Sequence, residues 1–199
     1  LGWMYKYQFT DDQWQGFTSA RTAEQILGNV MRLDSEPITN PRPIGKRAIG
    51  NCRTFSVLMI SLLRYEGVPA RMRVGYSTYT SGPDKLENHY IVEYWNGNRW
   101  VMLDAQMDDV QKSFHKIDFD TLDLPLGKFV VAGQAYTDLE DGKVQTAQVG
   151  GWGSKGDWEG QGYGYAQVDL ISDCCALNKQ ELFTGEANDL GRKSHDQLS

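Results

Sequence analysis

The chain has 199 residues, 40% of them hydrophobic and 23% charged, with a formal net charge of −6 at pH 7. That is the composition of an ordinary soluble globular protein. It excludes two classes at once: no cluster of lysines and arginines could hold a nucleic-acid backbone, and no apolar run approaches the ~20 residues of a membrane-spanning helix.

Residues Leu1 to Tyr5 do not read as a signal peptide. Thr22 and Gln25 form a capping box ahead of Ile26, Leu27, Val30, Met31 and Leu33, which predicts an amphipathic helix. Pro37, Pro41 and Pro43 then break the chain into a loop. Asn51 reads as the N-cap of a second helix that begins at Cys52. Its apolar residues Phe55, Leu58, Met59, Leu62 and Leu63 give the stripe of one buried face. Gly67 and Pro69 end it. Ala70, Met72, Val74 and Tyr76 alternate with polar residues in a half-buried strand, and residues 77–88 form a polar loop.

Two strand patterns follow, 89–95 and 99–106, joined through Asn96-Gly97, a strong hairpin signal. The first half is thus helices segregated from an antiparallel sheet, the α+β class. Beyond it, residues 119–126 and 129–139 are expected as short helices. Residues 150–164 are glycine-rich, and 166–183 carry a helical pattern. The reading is one domain over 1–199, with a core of about 20–107, an extension of about 108–185 and a polar tail at 186–199.

Three residues carry chemistry. A cysteine in the first turn of a helix meets unpaired N–H groups and the positive end of the helix dipole, which favour a nucleophilic thiolate. His89 and Asp104 flank the hairpin. With Asn96 and Gly97 as a two-residue turn, paired positions sum to 193, and His89 lies directly opposite Asp104. With the turn at Gly97-Asn98, or a four-residue loop, the sum is 195 and the two are diagonal neighbours on one face. Only a three-residue loop or a bulge separates them. Cys52, His89 and Asp104 are therefore the candidate nucleophile, base and orienter of an acyl-transfer site.

Other features carry less. His115 and His195 lack partners at ligand spacing, so no metal site is expected. Gly160, Gly162 and Gly164 do not match the spacing of a dinucleotide fingerprint, so no cofactor is expected either. Cys174 and Cys175 are adjacent and read as packed helix residues. Three cysteines do not make a disulfide framework, which suits a reducing compartment, most simply the cytoplasm.

Residues 45–107 resemble the transglutaminase-like family, which shares its architecture with papain-like cysteine proteases. The likeness lies in Gly50-Asn51-Cys52, in Leu62 to Arg71, in Val74-Gly75-Tyr76, in His89, and in Trp100 to Asp104. Cys52-Arg53-Thr54-Phe55-Ser56, Glu93-Tyr94-Trp95, Asp104-Ala105-Gln106 and Ala176 to Lys179 resemble an uncharacterised bacterial subgroup. The resemblance implies Cys52 as nucleophile, His89 as general base and acid, and Asp104 as orienter. It implies a thioester intermediate formed from a peptide or small amide, resolved by water or by an amine. The family's cross-linking members use a tryptophan upstream of the cysteine as an oxyanion donor. Trp14 is the nearest upstream tryptophan. The alternative is a catalytically silent binding or scaffold module.

Overall fold

A computed structural model describes residues 1–82, 84–152, 158–160, 162–183 and 186–187. Strand β1 (Gly2–Trp3) pairs in parallel with β2 (Ile49–Gly50), which leads directly to the candidate nucleophile. Helices α1 (Asp11–Ser19) and α2 (Ala23–Leu33) lie between them in the chain. Each opens with a complete capping box, from Thr10 to Gln13 and from Thr22 to Gln25. The second of these is the one expected from sequence.

Helix α3 (Cys52–Tyr65) begins where expected. The Asn51 side chain accepts from the Thr54 N–H at 3.0 Å. Its fully buried residues, however, are Arg53, Thr54, Ser56, Val57 and Ile60, a face rotated from the expected stripe, of which Leu58, Met59 and Leu63 pack half-buried against the same core. Leu62 is 48% exposed. Polar contacts favour this rotation. Arg53 donates to the carbonyls of Arg21, Glu181 and Leu182 at 3.1, 2.9 and 2.6 Å, and Ser56 Oγ donates to the Tyr90 carbonyl at 3.0 Å.

The main sheet follows the order β6-β3-β4-β7-β8, with β5 also paired to β4. Strands β3 (Ala70–Ser77) and β4 (Leu86–Trp95) form its antiparallel centre. Strand β5 (Trp100–Leu103) continues from β4 through a tight turn. All pairs in this sheet are antiparallel except β4 with β7. The second edge of β4 meets β5 at residues 92–95 and β7 at 86–87. Residues 88–91 lie outside both ladders, and it is there that α3 docks through Ser56. One core joins Val57 and Ile60 of α3 to Met72, Val74, Tyr90, Val92 and Leu103. Burying each such side chain stabilises the fold by roughly 1.5–3 kcal/mol.

The second half departs from expectation. Residues 119–126 form no helix. The Asp104 N–H donates to the Thr121 carbonyl, and the Leu124 N–H donates to the Met102 carbonyl, both at 2.8 Å, so this segment runs along β5. Asp120 turns the chain by accepting from the Leu122 N–H. The helix here is instead α4 (Asp109–His115), capped by Asp108. Residues 129–139 divide into β6 (Phe129–Val131) and α5 (Ala132–Glu140). β6 pairs with β3 so closely that a Cβ on Gly75 would stand 2.2 Å from the Val130 carbonyl oxygen, which only glycine tolerates. The glycine-rich region supplies β7 (Val149–Trp152), β8 (Trp158–Gly160) and the start of α6 (Gly162–Leu177). Most of the polar tail lies outside the described residues.

Candidate active site

The turn after β4 is centred on Gly97 and Asn98. Trp95 pairs with Trp100, and Val92 with Leu103, a register sum of 195 rather than 193. Of the two turn residues expected, only Gly97 has positive φ, at 96°. Asn96 instead uses its side chain, accepting from the N–H groups of Asn98 and Arg99 at 3.0 and 2.9 Å. His89 and Asp104 are therefore diagonal rather than directly opposed, and on one face.

The diagonal is short enough. His89 Nε2 lies 2.7 Å from Asp104 Oδ2. Both residues are buried, at 4% and 2% exposure. The pair does not stand alone. The Tyr79 hydroxyl donates to the same Oδ2 at 2.6 Å, and the Gln106 N–H donates to Oδ1 at 2.9 Å. Gln106 is itself locked to Gln111 by two side-chain hydrogen bonds. Burial alone would raise the Asp104 carboxyl; the His89 charge and these donors hold it below the usual carboxylate range instead. Burial alone would lower His89; the Asp104 carboxylate overrides this and holds the imidazole well above its ordinary value. Cys52 stands near enough to the same ring to raise it further. Because Nε2 is engaged by Asp104, Nδ1 is the nitrogen left for the sulfur. The Tyr79 phenol is held well above its ordinary value by burial and by Asp104.

Several contributors had no signal in the sequence reading. Tyr79 sits in the segment expected as a plain polar loop. Trp3 is 8% exposed and runs beside Gly50 in the β1–β2 pair, yet its indole N–H has no hydrogen-bond partner among the described residues. It packs edge-on against Phe114, with centroids 5.3 Å apart, and lies 5.5 Å from the His115 ring. Trp14, by contrast, is 37% exposed and makes its ring contacts with Phe9 and Phe17. Glu87 was legible in principle, being two residues before His89 on the same strand face.

Cys174 is exposed and Cys175 half-buried on α6, both as free thiols. No group of three His, Cys, Asp or Glu side chains suited to a metal ion occurs among the described residues. No helix among them is long and apolar enough to cross a membrane.

The family model for the transglutaminase-like superfamily matches residues 9–105, the span that runs from α1 to just past Asp104. Residues 9–105 belong to the transglutaminase-like superfamily. Strands β6 to β8 and helices α4 to α6 are added beyond this transglutaminase-like region. The chain is similar to the uncharacterised protein YebA of Bacillus subtilis (strain 168), with 30% identity over 105 residues. The match covers 47% of this chain and 14% of YebA, so the chain corresponds to a small part of that relative's length. Among solved structures, a candidate cysteine protease of Cytophaga hutchinsonii matches at 21% identity and a TM-score of 0.29, over 60% of this chain and 38% of the other.

Proposed function

We propose that this protein is a cysteine enzyme that acts on amide bonds through Cys52, His89 and Asp104. The observation that carries the reading is the buried 2.7 Å His89–Asp104 pair, with Cys52 at the start of α3 and near enough to the same imidazole to raise it. The Cys52 sulfur attacks the carbonyl carbon of a peptide or small amide. His89 gives a proton to the departing amine as the C–N bond breaks, and a thioester remains. Water, or a second amine, then attacks the thioester while His89 takes up its proton, and the C–S bond breaks to free the Cys52 sulfur and the acid or new amide. Asp104 holds the ring in one orientation and supports its positive charge.

Two N–H groups are suited to the oxyanion of the tetrahedral intermediate. One is the backbone N–H of Cys52, in the first turn of α3, where no helical carbonyl reaches. The other is the unpartnered Trp3 indole, which replaces Trp14 as the candidate second donor.

Hydroxylamine tests the reading. As a small amine it should capture the thioester and release a hydroxamate from glutaminyl or peptidyl amides, and Cys52→Ala should abolish this. Iodoacetamide should modify Cys52 faster than Cys174 or Cys175, and more slowly at Cys52 in His89→Ala. No hydroxamate from a range of amides, together with a Cys52 no faster than Cys174, would favour a silent binding module and sink the enzyme reading.

A further inference from the structure

Glu87 is a carboxylate with no cation paired to it among the described residues. It precedes His89 by two residues on β4, so both side chains leave the strand on the same face. It is half-buried, and its Oε2 accepts a hydrogen bond from Ser81 Oγ. Among the described residues no lysine, arginine or histidine forms a salt bridge with it. His115 stands within its field, but burial holds that imidazole below its ordinary value, so it is a poor counter-charge at neutral pH. The Glu87 charge also acts on the Tyr5 and Tyr79 phenols, and both of these feel Cys52 as well. The carboxylate therefore stands in the same small region as the candidate nucleophile.

An aromatic surface adjoins it. Trp3 is the buried centre, with Tyr5 and Phe114 packed edge-on at centroid distances of 6.4 and 5.3 Å. Tyr5 and Phe114 are 66% and 64% exposed. The Tyr5 ring is open to solvent, yet its phenol is pushed up to about 12 by burial around it and by Cys52 and Glu87. Trp3 and Tyr5 belong to the segment that β1 and β2 hold alongside the approach to Cys52, and Phe114 comes from α4.

Open aromatic faces beside a carboxylate that no described cation pairs complement one kind of group: an apolar stem ending in a positive charge. An acidic side chain placed there would be repelled. A neutral one would strip water from Glu87 and return nothing. The net charge of −6 draws cationic ligands in the same sense.

We propose that the site takes a peptide whose residue beside the attacked amide is lysine or arginine, its stem against Tyr5 and Phe114 and its charged head on Glu87. The proposal rests on the reading of Cys52 as nucleophile and adds the substrate class to it.

Three peptidyl chloromethyl ketones test it, identical except for lysine, norleucine or glutamate next to the reactive carbon. Rates of adduct formation at Cys52 are read by intact mass and peptide mapping. Lysine should react about tenfold faster than norleucine, the scale of one partly buried ion pair, and glutamate slowest. The ratio of lysine to norleucine should shrink as salt is raised. Glu87→Gln should bring that ratio close to one, and Glu87→Lys should favour glutamate. If either variant fails to fold, the salt dependence in the wild type decides. Equal rates for lysine and norleucine, or a lysine advantage that survives Glu87→Gln, would overturn the proposal alone. A Cys52 inert to all three reagents and to iodoacetamide would overturn the nucleophile reading, and this proposal with it.

Discussion

Asp104 and Asp169 are buried to nearly the same degree, 2% and 4% exposed, and they behave in opposite ways. Asp104 accepts from His89, Tyr79 and the Gln106 N–H, and its carboxyl is held low. Asp169, on α6, has one donor, the Asn88 side chain at 2.8 Å. Its Oδ2 makes no hydrogen bond of good geometry among the described residues; the Tyr76 hydroxyl stands beside it and lowers the carboxyl, but by less than burial raises it. Burial therefore pushes Asp169 up to about 7. Depth sets the cost of a buried carboxylate; the number and charge of its donors decide whether the charge survives. The better-furnished of the two is the one that faces an imidazole.

The sharpest way to break this contrast is Asp104→Asn, which keeps size and removes charge. Turnover of any amide substrate found should fall by about 10²–10³, less than in a serine triad because a thiol depends less on its base. His89 would then feel burial without its counter-charge, and its titration, followed by NMR of the ring proton, should drop below the ordinary value of about 6.5. Near-wild-type turnover in a well-folded variant would leave a Cys52–His89 dyad.

The second test is Asp169→Asn, read as melting temperature against pH. A carboxyl raised in the folded state lends stability that is fully present below about pH 4 and is lost as pH rises through its folded value near 7. Asparagine has no proton to lose. The variant should match wild type at low pH and melt several degrees higher at pH 8, at about 2–4 °C per kcal/mol. A difference that does not change with pH would mean that Asp169 is charged and satisfied. The signs for the His89–Asp104 pair are different. Asp104 lends stability above about pH 4 that is lost as pH falls through its lower folded value; His89 lends stability below about 6.5 that is lost as pH rises through its higher one.

The smallest effect belongs to Tyr79→Phe. It removes one of the donors to Asp104, and a hydrogen bond to a charged group contributes about 1.5–3 kcal/mol at most. Turnover should fall by up to about tenfold, with the acid limb of the pH–rate profile moving upward as the Asp104 carboxyl loses support. An unmoved acid limb would make Tyr79 a packing residue only.

How much of this was legible depended on the range of the interaction. The α3 start was readable because Asn51 caps within three residues. The shared face of His89 and Asp104 followed from strand period and one turn, and it survived a register of 195 because only an odd shift separates them. Tyr79 and Trp3 were not readable. Tyr79 reaches Asp104 across 25 residues of chain, and Trp3 reaches the nucleophile loop through a two-residue parallel pair with no local pattern. The rotation of α3 was missed for a related reason. Arg53 counts as polar in any periodicity, yet carbonyls from residues 21, 181 and 182 draw it inside. The segment 119–126 looked helical until β5 claimed its backbone groups.

Helix α3 enters the sheet through the interval that β5 and β7 leave open along β4, and it is anchored there by Ser56 and by Val57 and Ile60. Cys52 is thus carried on a rigid rod and His89 on a plate. Their separation is set by how the rod seats, not by a loop. Small losses of volume under the rod, at Ile60 for instance, should register as altered thiol reactivity a full two turns away, before any unfolding is visible. Evolution could tune the chemistry of such a site by trimming methyl groups that no substrate ever touches.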